Sequence, residues 1–225
     1  MLLLSRLQEL LGGIYDVRIA HDVYDFLVTD RARLPAAARD GGADEEVLVA
    51  ESVDGSEMAL SLYLDPALLQ RLAQADPLTR LHAGNVADCL TALEGVSHFL
   101  YLAWNAAHDK PVSLLELELQ AEVDKYVASH LLLRHQCPGH FPLELRRVLF
   151  ERARLDPCLS ATRAHLYREA SLYAERFCRR LEHRLARTRA GSAAGVADRE
   201  VFAELRRFYR LTHARKRAHI ERTSA

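Results

Sequence analysis

Lysine is nearly missing from this chain: of its 30 basic residues only Lys110, Lys125 and Lys216 are lysine, and arginine supplies the rest. A genome-level preference for arginine codons produces such a bias without any function, so the bias does not argue for binding. It does leave a surface suited to bidentate pairing with carboxylate or phosphate. Cysteine is scarce too. Cys89, Cys137, Cys158 and Cys178 stand far apart with no CxxC pair, in a chain long enough to fold without staples, which speaks against a disulfide framework and for reduced thiols in a cytoplasm. Long apolar runs are absent as well: the longest stretch free of acidic and basic residues, Gly95 to His108, is shorter than the ~20 residues that cross a bilayer. The opening Met1-Leu2-Leu3-Leu4-Ser5-Arg6 has no basic leader before its apolar run and predicts a first helix, not a signal peptide. The sequence also contains no GxGxxG, P-loop, GxSxG or HExxH motif, so none of those nucleotide-binding, esterase or zinc-protease signatures points to an activity.

What the chain does have is charge sorted by position. Residues 1–137 hold 10 Lys+Arg against 21 Asp+Glu, a balance of −11; residues 138–225 hold 20 against 10, a balance of +10. Such a split suits a basic half that binds a polyanion, or two halves that neutralise each other within one fold or between two copies.

The 49% hydrophobic content is ample for a packed core. Leu3, Leu7, Leu10 and Leu11 recur at helical spacing before Gly12-Gly13 and predict a short amphipathic helix. Val23 to Val28 is rich in β-branched and aromatic residues; Glu46 to Val53 and Met58 to Leu64 are similar runs joined through Asp54-Gly55, a hairpin signal. Leu34 to Asp44, with Pro35 and Gly41-Gly42, reads as a loop. Beyond Leu64 the hydrophobic period changes from two to about 3.6. Asp65-Pro66, Asp76-Pro77 and Asp156-Pro157 each set a capping acceptor before a proline suited to a first helical turn. Ser113 with Glu116 forms a capping box, and Val112 with Leu117 a hydrophobic staple. These signals predict helices over Pro66–Ala75, Pro77–His108, Leu114–His135, Leu143–Arg154, Pro157–Arg189 and Arg199–Glu221, with 190–197 as a hinge. The expected fold is α+β: an N-terminal module over 1–64, with about three antiparallel strands and a helix, followed by a larger all-α helical bundle over 65–225. The two are either separate units or one continuous core.

Three constellations could carry chemistry. The first lies on the bundle helices, where Glu94 and His98, Glu118 and Glu122, and His165 and Glu169 are i,i+4 pairs; facing inward they would supply the carboxylates and imidazoles of a zinc or iron site. The di-iron Glu-x-x-His motif is missing from these helices, and pairing with neighbours such as Lys125 is the simpler reading. The second is His130, His135, Cys137 and His140 around one helix end, with Cys158 downstream: zinc donors by type, though in no recognised spacing, and equally a capped helix terminus. The third is the arginine face of the last helices, above all Arg206, Arg207, Arg210, Arg215, Lys216 and Arg217, which suits an anionic partner although glutamates interrupt it.

The sequence alone therefore favours a non-enzymatic adaptor or regulatory protein, acting off the membrane, that recognises other proteins or its own copies through helical surfaces. A nucleic-acid binder using the arginine-rich C-terminal helices and a helical-bundle metalloprotein with a His/Glu site are the alternatives.

Overall fold

The uncharged run around Gly95–His108 becomes the centre of the molecule. In the computed structural model, which describes residues 2–40, 42–51, 58–138, 142, 144–151, 160–189 and 194–222, it belongs to helix α4 (Val86–Ala106), whose Cys89, Leu93, Val96, Phe99, Leu100 and Tyr101 are buried. Helix α1 (Leu3–Tyr15), α3 (Pro66–Gln74), α5 (Leu114–Gln136) and a three-stranded sheet all pack on α4. On its far side α5 meets α7 (Ala161–Arg189). Helix α8 (Ala194–Tyr209) lies on α7 and α1, and α9 (His213–Arg222) on α7. The buried apolar cluster runs from Leu4 to Ile220 and takes in Leu60, Leu62 and Leu64 together with the bundle residues, without a break at the end of the sheet. The fold is α+β with a helical bundle. Among the described residues no helix is long and apolar enough to cross a membrane.

The sheet is mixed, where the strand pattern predicts an antiparallel one. Its order is β1 (Leu27–Val28), β3 (Met58–Leu64), β2 (Glu45–Glu51), with β2 antiparallel to β3 and β1 parallel to it. The chain crosses to the far edge in β2 before returning through the middle in β3, so the first strand runs beside the third. That first strand is also shorter than its composition suggests. The Asp22 carboxylate accepts the Tyr24 N–H at 2.9 Å and winds Val23–Phe26 into a 3-10 turn, which leaves two extended residues. A short helix, α2 (Ala36–Asp40), occupies part of the predicted loop. The Asp54-Gly55 turn, Asp156-Pro157 and residues 190–193 of the predicted hinge lie outside the described residues.

Two of the predicted helix starts are present: Asp65 accepts the Ala67 N–H at 2.8 Å, and Ser113 Oγ accepts the Glu116 N–H at 3.3 Å. Asp76 accepts the Leu78 N–H at 2.8 Å, yet no helix continues through residues 77–85. Side chains take up the backbone groups there: Gln136 binds the Leu81 N–H and the Pro77 carbonyl, and Asn85 binds the Ala75 and Arg80 carbonyls. Of the predicted 143–154 helix, the described residues form α6 (Glu144–Arg146) and a π-helical turn over Arg147–Glu151. The last predicted helix is two, broken between Tyr209 and His213.

One glycine sets the distance between sheet and bundle. A Cβ on Gly95 would lie 2.8 Å from Leu62 Cδ1 and 3.1 Å from Glu45 Cγ, so α4 and the sheet pack at a separation that only glycine permits without a shift. Glu45 on β2 thereby reaches His98 on α4.

Candidate metal centre

Along α5 the residues Glu116, Glu118, Gln120, Glu122 and Asp124 are polar at every second position. On a helix that alternation does not make one face. Glu116, Gln120 and Asp124 fall on one side, and Glu118, Glu122 and Lys125 on the opposite side. Because α5 is covered on both sides, it feeds two separate buried polar clusters.

The first cluster lies between β2, α4 and α5. Donor atoms of Glu94, His98 and Glu118 all lie within 4.8 Å of one another. His98 is 3% exposed and Glu118 is 5% exposed. The Glu45 carboxylate sits 3.2 Å from His98 Nδ1 and fixes the ring, the relation that usually orients a metal-bound imidazole. The other ring nitrogen, Nε2, faces Glu118 Oε2 at 3.6 Å and makes no hydrogen bond. Lys125 Nζ donates to Glu94 Oε2 and Glu122 Oε1, each at 2.9 Å, which leaves the second Glu94 oxygen for another partner. The electrostatics follow from this crowding of carboxylates. Burial by itself would push the His98 pKa down, but Glu45 and Glu118 outweigh it and hold the ring well above the usual imidazole range. Burial pushes Glu45 up, against the pull of His98. Burial also acts upward on Glu94, where Lys125 and His98 prevail and hold it below its ordinary value.

A nitrogen and two carboxylate oxygens are a donor set used by zinc, iron(II) and manganese. Ions of this kind bind their donors at about 2.0 to 2.2 Å, so the three groups would have to close by a fraction of an ångström to about 1 Å. A divalent ion would take the place of the proton at Nε2, because ligands bind metal in their deprotonated form. The residues present fit the group.

The second cluster lies between α1, α4, α5 and α9. Asp124 accepts hydrogen bonds from Ser97 Oγ at 2.6 Å, from Gln120 Nε2 at 2.7 Å and from the Tyr15 hydroxyl. Gln120 in turn accepts from Lys216 Nζ at 2.5 Å, and the Tyr101 hydroxyl donates to Glu116 at 2.6 Å. Lys216 is fully buried, its ammonium 4.5 Å from the Tyr101 ring centre and 4.9 Å from that of Phe208. Burial pushes Lys216 down to about 7, against the pull of Glu116 and Asp124, and pushes Asp124 up to about 6.

The structure sorts the residues singled out in the sequence. Glu94, His98 and Glu118 converge, and Glu122 joins them through Lys125. His165 is exposed and Glu169 pairs with Arg217 at 3.8 Å; neither belongs to the group. His135 and Cys137 are exposed and form no three-donor group among the described residues, while His140 lies outside them. His130 is buried, and burial lowers its pKa to about 4.

In the arginine set, Lys216 is a core residue, fully buried with its ammonium donating to Gln120. Arg210 caps the C-terminal end of α1, donating to the Tyr15 and Asp16 carbonyls at 3.0 and 2.9 Å, and Arg206 reaches the Ile14 carbonyl at 3.4 Å. Arg217 donates to the Tyr173 hydroxyl at 3.0 Å. Arg207 and Arg215 are exposed and make no ion pair among the described residues.

Sequence reasoning missed Glu45, which the close approach at Gly95 brings in, and Tyr167, whose pKa is raised by burial and by the nearby Glu118, Glu94 and Glu45. A carboxylate opening a strand carries no sign of its partner on a helix some fifty residues later. No protein-family model, curated protein or solved structure matches this chain.

Proposed function

We propose that the chain is a helical metalloprotein that holds one divalent transition-metal ion on Glu94, His98 and Glu118, with Glu45 orienting the histidine. The observation that carries this reading is the convergence of buried donors: atoms of Glu94, His98 and Glu118 lie within 4.8 Å of one another, with His98 Nε2 3.6 Å from Glu118 Oε2 while Nδ1 is held by Glu45. The ion would supply Lewis acidity and charge compensation for the cluster of carboxylates. Glu45, Lys125 and Glu122 would fix the ligands' positions. This reading stands ahead of the nucleic-acid alternative because Lys216, Arg206, Arg210 and Arg217 are engaged within the fold.

Calorimetric titration of chelator-treated protein with Zn²⁺, Mn²⁺ and Fe²⁺ tests it. One site per chain is expected for at least one of these ions, with a rise in melting temperature, because an ion bound only by the folded state at a hundred times its Kd adds about 2.7 kcal/mol. His98→Ala should abolish the binding. Glu45→Gln should weaken it about 10- to 100-fold, as loss of an outer partner does. Absence of saturable binding by all three ions would overturn the reading.

A further inference from the structure

A second site lies away from the metal centre, where α5, α7 and α8 leave a cavity of about 220 Å³. Its walls are aliphatic and aromatic: Leu131, Leu181, Leu185, Val201, Phe202 and Leu205. Among the described residues, polar groups enter at its buried end and at its rim. Tyr126 and His130 line the cavity and are each 1% exposed. The Tyr126 hydroxyl has no hydrogen-bond partner, and burial keeps His130 uncharged at neutral pH by lowering its pKa to about 4. Arg134, His135 and Asp198 also line the cavity and are partly or largely exposed, so they mark its rim. Among the described residues Arg134 makes one polar contact there, to Asp198 Oδ1 at 3.3 Å, with both side chains over a third exposed. A guanidinium with a single long carboxylate contact retains donors for a second, bidentate partner.

We propose that this cavity binds a small apolar carboxylic acid, its hydrocarbon body among the leucines and its carboxylate on Arg134. The volume is below the about 300–1,000 Å³ of sites for drug-sized ligands, so the occupant is a medium-chain or single-ring acid. Uncharged walls favour a hydrocarbon body, and the rim cation selects an anionic head. The inference is independent of the metal centre, which shares no residue with the cavity.

The test is titration of the intact protein with sodium octanoate and, in parallel, octan-1-ol, followed by calorimetry and ligand-observed NMR. Octanoate is expected to saturate one site with a Kd below about 1 mM, and octanol to bind at least about tenfold more weakly. Arg134→Gln should bring octanoate to the level of octanol. Val201→Phe, which fills the cavity, should remove binding of both; Leu185→Trp, at a half-buried wall, blocks the same space if the first variant does not fold. Lack of saturable octanoate binding, equal binding of octanol, or binding that survives in a folded blocking variant would each overturn the proposal.

Discussion

His98 and Lys216 are both buried cations by type, and their surroundings drive them in opposite directions. Around His98 the carboxylates of Glu45 and Glu118 outweigh desolvation and raise its pKa; around Lys216 desolvation wins against Glu116 and Asp124, and the pKa falls to about 7. The second case has a clear consequence for stability. In the unfolded chain the lysine keeps its proton up to about its ordinary 10.5. Between pH 7 and 10.5 the unfolded state therefore binds more protons than the folded one, and Lys216's contribution to stability rises with pH across that window and is least favourable below it. Asp124 behaves inversely. Its folded pKa of about 6 exceeds the ordinary 3.8, so the folded state holds the extra proton and stability falls as pH rises through that interval. Lys216→Met should match or exceed the wild type in melting temperature at pH 6 and lose that advantage by pH 10, since an apolar stem in place of a poorly compensated buried charge is often neutral or stabilising. A variant equally destabilised at both pH values would contradict this. Asp124→Asn places an amide against three donors, and urea denaturation should show a loss of about 1 to 3 kcal/mol.

At the scale of elements the decisive fact is that α4 and α5 are buried on more than one side. Gly95→Val should disturb the approach of the sheet to α4, lowering the melting temperature and weakening metal binding together, because the added atoms meet Leu62 and Glu45. Metal affinity unchanged in a folded variant would separate sheet position from the site. At the other end of the molecule, α9 is short and anchored by Lys216 and Ile220, both fully buried. Ile220→Ala should cost about 2 to 5 kcal/mol in denaturant unfolding. Much of this layer was legible in the sequence. Asp65-Pro66 and Ser113-Glu116 act over a few residues and set their helices wherever the rest of the chain goes, and Glu94 with His98 could be read as one face from spacing alone. What was not legible depends on partners far away in the chain: Gln136 and Asn85 take the backbone groups of 77–85 out of helical pairing, Asp22 winds the expected first strand into a turn, and Glu45 meets His98 only through tertiary packing. Lys216 shows the same limit, since neighbouring arginines suggested a surface and the turn at 210–212 turned it inward.

For the whole molecule, the opposite charges of the two halves are not mainly paired with each other. Among the described residues, Arg134–Asp198 at 3.3 Å and Arg163–Glu46 at 3.9 Å cross between them, whereas Arg146 with Glu175 and Glu182, Arg180 and Arg184 with Glu204, and Arg71 with Asp88 stay within one half. The halves are joined instead by the shared apolar core and by arginines that cap carbonyls at the end of α1. Exposed pairs are individually weak and screened by salt, so adding salt should leave the melting temperature nearly constant. The charge that matters is concentrated inside, around His98, where four carboxylates meet one lysine and one imidazole. The most direct test of that account is the metal content of the chain purified without chelator, measured by elemental analysis beside His98→Ala. Near-stoichiometric zinc, iron or manganese in the wild type and its loss in a folded variant is the expected result; a folded wild type that carries none of them and takes none up would contradict it.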